Sequence, residues 1–187
     1  RGLTGRPKVL VFNGCYHGTL DDTMVELQDG QTAVRAGLVG QVADLTKTAV
    51  VCEFNDLAAV EAALATGEVA AILTEPVMTN SCMVLPDAGF HDGLRTLTRR
   101  HGALLIIDET HTISSGLGGY TRVHSLSPDI FVVGKCVAGG MPTAVWWMTE
   151  DVAARFAAYN AQRPAGHSGM GTTLSANPMQ FACLAAT

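Results

Sequence analysis

No two cysteines in this sequence stand at a CxxC spacing, and the five present are an odd number without framework spacing. That excludes a zinc ribbon and a disulfide scaffold, and it points to free thiols in a reducing compartment, the cytoplasm. Basic residues are scarce, 12 Lys and Arg against 17 Asp and Glu for a net charge of -5. With no basic stripe to neutralise phosphates, nucleic acid is excluded as a partner. No apolar run approaches the length of a membrane span and no signal peptide opens the chain, so no membrane partner is expected. What is present is a core: 48% of the 187 residues are hydrophobic and 16% charged, the composition of one globular domain.

The apolar residues come in short unbroken runs. Strands are predicted over 8–13, 48–54, 69–74, 103–107, 130–133 and 144–148. Between them lie amphipathic stretches. One helix is predicted over 56–66, with Asn55 as its cap and Gly67 as its stop, and another over 87–101, ended by Gly102. A third is predicted over 151–159, and a last one begins at Pro178 behind Asn177. Residues 19–47 read as loop with a short helix, and Trp146 and Trp147 as strand core. Strands without polar alternation, separated by helices, predict an α/β fold: three layers, α/β/α, around a mostly parallel sheet. The helix begun at Pro178 has no C-cap before Thr187, and the chain opens at Arg1, so it is expected to be part of a longer protein.

In such sheets ligands sit beyond the carboxyl ends of the strands. Tyr16, His17, Glu75, Asp108 and Lys135 all fall just past a predicted strand. Lys135 lies in the glycine-rich turn Gly134-Lys135-Cys136-Val137-Ala138-Gly139-Gly140, 27 positions after Asp108. A lysine there is a candidate Schiff-base former, because desolvation frees the lone pair of its amine. Asp108 ends an apolar run, so its carboxylate needs a partner, and a pyridinium N–H would serve. Together they point to pyridoxal 5'-phosphate (PLP) as cofactor, held by a lysine and an aspartate. For Tyr16 and His17 two readings stand: stacking on a cofactor ring, or packing at a sheet edge. Gly171 to Pro178 reads either as an anion site or as simple capping of a helix. His111, three residues past Asp108, is close enough to touch the site, whereas His124 and His167 read as surface or loop residues.

The ordered set Tyr16-His17-Gly18, Glu75-Pro76-Val77, Leu105-Ile106-Ile107-Asp108-Glu109, Pro128-Asp129-Ile130, Gly134-Lys135 through Gly139-Gly140-Met141-Pro142, and Thr173-Leu174-Ser175-Ala176-Asn177-Pro178 resembles the class III (omega) aminotransferases of PLP fold type I. The nearest look is to the glutamate-1-semialdehyde 2,1-aminomutase branch and to the amine and beta-amino-acid transaminases. The resemblance implies Lys135 as the Schiff-base lysine and Asp108 as partner of the pyridine nitrogen. Tyr16 would stack on one ring face, Thr110 would take the other, and His111 would stand beside the ring hydroxyl. Thr173 would reach the phosphate of the neighbouring subunit, which implies a homodimer with shared sites. Asn80 stands where ornithine-type members carry a glutamate, as in the aminomutase and amine-transaminase branches. The resemblance also implies that residues 1–187 are the central segment of the PLP-binding large domain, with an N-terminal segment and a C-terminal small domain outside them.

The activity expected is amino-group transfer from a small-molecule amino donor to a carbonyl acceptor, or the 2,1-aminomutase version of it. Decarboxylation or racemisation on the same scaffold, and a non-catalytic truncated chain, are the alternatives.

Overall fold

The computed structural model describes residues 1–166, 171 and 173–187. In chain order the elements are β1 (Lys8–Phe12), β2 (Val25–Gln28), β3 (Gln31–Val34), β4 (Ala49–Cys52), α1 (Leu57–Ala65), β5 (Val69–Thr74) and α2 (Phe90–His101). They continue with β6 (Leu104–Asp108), α3 (Gly119–Val123), β7 (Ile130–Val133), β8 (Val145–Met148), α4 (Glu150–Asn160) and α5 (Pro178–Ala186). Six strands form one sheet in the order β4-β1-β5-β6-β7-β8. All neighbours pair parallel except β8, which runs antiparallel to β7 with Val145 opposite Val133.

The strands are apolar throughout because both faces of the sheet are covered, so alternate residues enter different cores. Leu105 and Ile107 of β6 pack with Leu10, Phe12 and Ile72 under Val60 and Leu64 of α1 and Phe90 and Leu94 of α2. Leu104 and Ile106 face the other way, toward Ala71 and Val152 of α4. The three-layer α/β/α arrangement read from the sequence is the one observed. Helices α1 and α2 also touch each other, and Gly93 permits their approach: a Cβ there would lie 2.4 Å from Leu57 Cδ1.

Four local expectations are corrected. Residues 19–47 hold the hairpin β2–β3 and two short 3-10 turns, Asp21–Thr23 and Leu45–Lys47, rather than loop and helix. The hairpin turns on Asp29 and Gly30, both at positive φ (51° and 75°), the two-residue Asp-Gly signal that alternating Val25, Leu27, Thr32 and Val34 should have flagged. The cap of α1 is Asp56, whose carboxylate accepts from Ala59 N at 2.9 Å. Asn55 sits at φ 72° and instead clamps the segment before α2, donating to Leu85 O and accepting from Asp87 N. Helix α2 starts at Phe90, three residues later than predicted, behind left-handed Gly89. Trp146 and Trp147 are 47% and 51% exposed, because β8 is an edge strand. Trp147 still stacks on Phe131, their ring centres 3.6 Å apart. The cap on α5 is as expected: Asn177 accepts from Met179 N and Gln180 N. His124 is exposed and stacks on Tyr120, while His167 and Thr172 lie outside the described residues.

Candidate active site

The carboxyl ends of β1, β5, β6 and β7 open onto one cavity of about 360 Å³. Each strand delivers its polar residue in the turn that follows or at its last position. Tyr16 and His17 come after β1, Glu75 after β5, Asp108 to His111 at and beyond the end of β6, and Lys135 beyond β7. Of the residues singled out in the sequence, Tyr16, His17, Asp108, Thr110, His111 and Lys135 all line the cavity. Thr173 does not: it is exposed in the turn before α5. Sequence reasoning missed Thr143 and Ala144, which close one wall. They arrive there because β8 runs antiparallel, so its amino end lies at the carboxyl ends of the others.

Asp108 is 9% exposed and its two oxygens are both used. Oδ1 accepts from Thr110 N at 3.0 Å and Oδ2 lies 2.8 Å from His17 Nδ1. Burial opposes charge on both partners, and the pairing outweighs it on both. The His17 pKa is raised to about 9, burial being overcome by the hydrogen bond to Asp108, by the nearby Cys15 side chain and by the Asp108 charge. The Asp108 carboxyl is held below its ordinary value, burial again being overcome by His17 and Thr110. The result is a buried carboxylate kept ionised by an imidazolium behind it. The sequence suggested that Asp108 needs a partner; the partner inside the chain is His17.

Lys135 opens the 3-10 turn Lys135–Ala138 with φ 54°, in the left-handed region where a non-glycine residue is strained by about 1 kcal/mol or more. Contrary to the expectation of a desolvated lysine, it is exposed at the cavity. Its amine makes no hydrogen bond or ion pair among the described residues. Glu75 is only 4% exposed and serves the wall. One carboxylate oxygen accepts from Tyr16 N at 3.2 Å; the other accepts from Thr79 N at 3.2 Å and Thr79 Oγ at 2.9 Å. Thr79 Oγ is in turn hydrogen-bonded to His111 Nδ1. Glu109, fully buried, accepts from Tyr120 N at 2.8 Å and from Thr121 N and Thr112 Oγ, which anchors α3 and the loop beyond Asp108. Among the described residues no three His, Cys, Asp or Glu side chains are grouped to hold a metal ion.

A lysine amine and an ionised aspartate face one cavity at the carboxyl edge of a mostly parallel sheet, the edge where α/β proteins place their ligands. The model of the family "Aminotransferase class-III" matches residues 1–187, and the chain belongs to that family. Among curated relatives it is 41% identical over 194 residues to glutamate-1-semialdehyde 2,1-aminomutase of Roseiflexus castenholzii, covering 100% of this chain and 43% of the relative. The protein of the same name in Neisseria gonorrhoeae is 38% identical over 186 residues, or 97% and 42% of the two chains.

Among solved structures, a glutamate-1-semialdehyde-aminomutase from Pseudomonas aeruginosa superposes with a TM-score of 0.94 at 51% identity, covering 100% of this chain and 42% of that one. A lysine-to-alanine variant of the Pseudomonas protein has been solved in complex with PMP. An omega-transaminase from Sphaerobacter thermophilus superposes at 0.83 with 30% identity, covering 100% and 44%. The chain thus spans about two-fifths of the length of the relatives it matches. Among the described residues no helix is long and apolar enough to cross a membrane.

Proposed function

We propose that this chain carries the cofactor centre of a PLP-dependent enzyme that transfers amino groups, as an aminotransferase or a 2,1-aminomutase. The observation that carries the reading is the convergence of Lys135 and the His17-backed Asp108 on one cavity. The residues fit the cofactor. The cavity offers an amine for its aldehyde, an ionised carboxylate for its ring nitrogen and the aromatic ring of Tyr16 for a ring face.

In this reading Lys135 would hold the cofactor by its aldehyde carbon, and Asp108 would hold a proton on the ring nitrogen. Tyr16 and Thr110 would hold the two faces of the ring, and His111 would stand beside its hydroxyl. When bound, PLP supplies an electron sink for the bonds at the carbon that bears the substrate's amine. Lys135 moves the proton at that carbon, as general base and then general acid. Asp108 stays charged because the His17 imidazolium lies behind it, so it favours a protonated ring nitrogen.

Coverage of about two-fifths of the relatives supports reading residues 1–187 as one part of a longer enzyme; in this proposal that part is the central segment of the PLP-binding large domain, with an N-terminal segment and a C-terminal small domain beyond it. The working form is a homodimer in which Thr173 reaches the partner's phosphate. Its exposure outside the cavity, beside exposed Leu174, Met179, Phe181 and Trp146, supports a role at an interface. The substrates are a small-molecule amino donor and a carbonyl acceptor. The free thiols, buried Cys15 and Cys52 among them, support the reducing cytoplasm.

The test is chemical capture. The protein carrying this chain, loaded with PLP and treated with borohydride, yields one reduced adduct that mass spectrometry maps to Lys135. An adduct on another lysine, or none, removes the assignment.

A further inference from the structure

The turn that leads from β1 into the cavity is tethered by segments far away in sequence. Asn13 Oδ1 accepts from Leu27 N of β2 at 3.1 Å, and Gly14 O accepts from Ser81 Oγ at 2.8 Å. The next peptide group, between Cys15 and Tyr16, is held at both ends. Its carbonyl accepts from the Arg35 guanidinium, and its N–H, that of Tyr16, donates to Glu75 Oε1 at 3.2 Å. Arg35 lies just past β3, and its Nε donates to Val25 O of β2 at 3.1 Å. Among the described residues its guanidinium has no carboxylate partner. The cation meets an anion only through the peptide, in the order guanidinium, carbonyl, N–H, carboxylate. Hydrogen bonds with an ionised partner are about twice as strong as neutral ones, and this one planar unit has such a bond on each side. A planar unit held at both ends cannot swing about the chain, so the backbone leaves it in one direction, toward Tyr16 and His17.

We propose that Arg35 is a positioning residue: through the Cys15–Tyr16 peptide, gripped on its other side by Glu75, it sets the direction in which Tyr16 and His17 leave the turn, and so keeps His17 against Asp108 and the Tyr16 ring at the cavity. The clamp stands independently of the function proposed above; its bearing on a bound cofactor rests on that reading. The hairpin β2–β3 lines no part of the cavity, yet through Arg35 it holds two of the residues that do.

Hydrogen exchange of the protein carrying this chain, resolved to single amides by fragmentation mass spectrometry, reads the clamp without any turnover. Arg35→Met keeps the stem and removes the donors. It is expected to speed exchange of the Tyr16 amide by about tenfold, the opening that loss of one hydrogen bond to a charged group allows, while Leu10 to Phe12 of β1 exchange as before. Arg35→Lys keeps the charge without the fork, so its Tyr16 amide should exchange at a rate between the two, and it serves as the comparison if the methionine variant does not fold. An unchanged Tyr16 amide, or equal acceleration through β1, overturns the clamp. An NMR titration supplies the second reading. Removing a cation alone would raise the His17 pKa, whereas loosening its bond to Asp108 should lower it, by about one pH unit, from about 9. A His17 pKa unmoved or raised in Arg35→Met overturns the link to His17. With PLP bound, the variant is expected to keep the Lys135 adduct and lose visible circular dichroism; an unchanged signal overturns the link to the cofactor. A parent that captures no PLP counts against the functional reading, and the clamp is then decided by the Tyr16 amide.

Discussion

The His17–Asp108 pair makes stability depend on pH in a direction that can be worked out in advance. The folded His17 pKa, about 9, lies above the ordinary imidazole value of 6.5. The folded chain therefore holds that proton more tightly than the unfolded chain does. The stabilisation is complete below 6.5, fades as pH rises, and is gone above about 9, a total of about 3 kcal/mol. Asp108 works on the other flank: its folded pKa is lowered, so its contribution is present above the ordinary value of 3.8 and is lost as pH falls through the folded value.

Asp108→Asn removes the charge and leaves burial opposed only by the Cys15 side chain, so the His17 pKa should fall from about 9 toward the ordinary value. Urea unfolding of parent and variant across pH is the assay, with an NMR titration of the His17 ring proton alongside. The parent should lose up to about 3 kcal/mol more than the variant between about pH 6 and pH 10, so the gap between them narrows as pH rises. A His17 that titrates at or below 6.5 in the parent, or equal alkaline slopes for both proteins, would refute the reasoning.

Two further substitutions test the scaffold. Gly119 sits at φ 73° with the Glu109 carboxylate 2.5 Å from where a Cβ would be, so Gly119→Ala should destabilise by about 1–3 kcal/mol and loosen α3; an unchanged unfolding midpoint would mean that Glu109 does not anchor this turn. Asp56→Ala should cost about 1 kcal/mol by uncapping α1, and a loss of helix stability from Asn55→Ala but not from Asp56→Ala would return the cap to the position first read from the sequence.

The residues that build the sheet were legible because each strand is a short apolar run, Val69 to Thr74 and Ile130 to Val133 being the plainest. The cavity was legible for the same reason: parallel strands put their following residues on one edge, and Tyr16, Asp108 and Lys135 follow strands. What was missed depends on pairing and direction, which composition does not carry. The hairpin around Asp29-Gly30 is half-buried and polar enough to read as loop. Thr143 and Ala144 reach the cavity only because β8 reverses, and that reversal also exposes Trp146 and Trp147, which look like core in a sequence. Glu75 was visible as a strand-end carboxylate, but Thr79 was not, since its importance lies in a hydroxyl spent between two residues 4 and 32 positions away.

The cavity wall is shared among five neighbouring strands, β1, β5, β6, β7 and β8, and its members are drawn from positions 16 to 144. His17, Asp108 and Lys135 come from three different strands, β1, β6 and β7, with β5 lying between β1 and β6, so no single strand pair holds all three. The site appears only when β1, β5, β6 and β7 are all docked, a set of contacts distant in sequence and slow to close. Under the proposed function, aldehyde capture at Lys135 beside Asp108 would therefore report on the whole sheet: an opening anywhere from β1 to β7 that separates those strands would extinguish it before helix content changed.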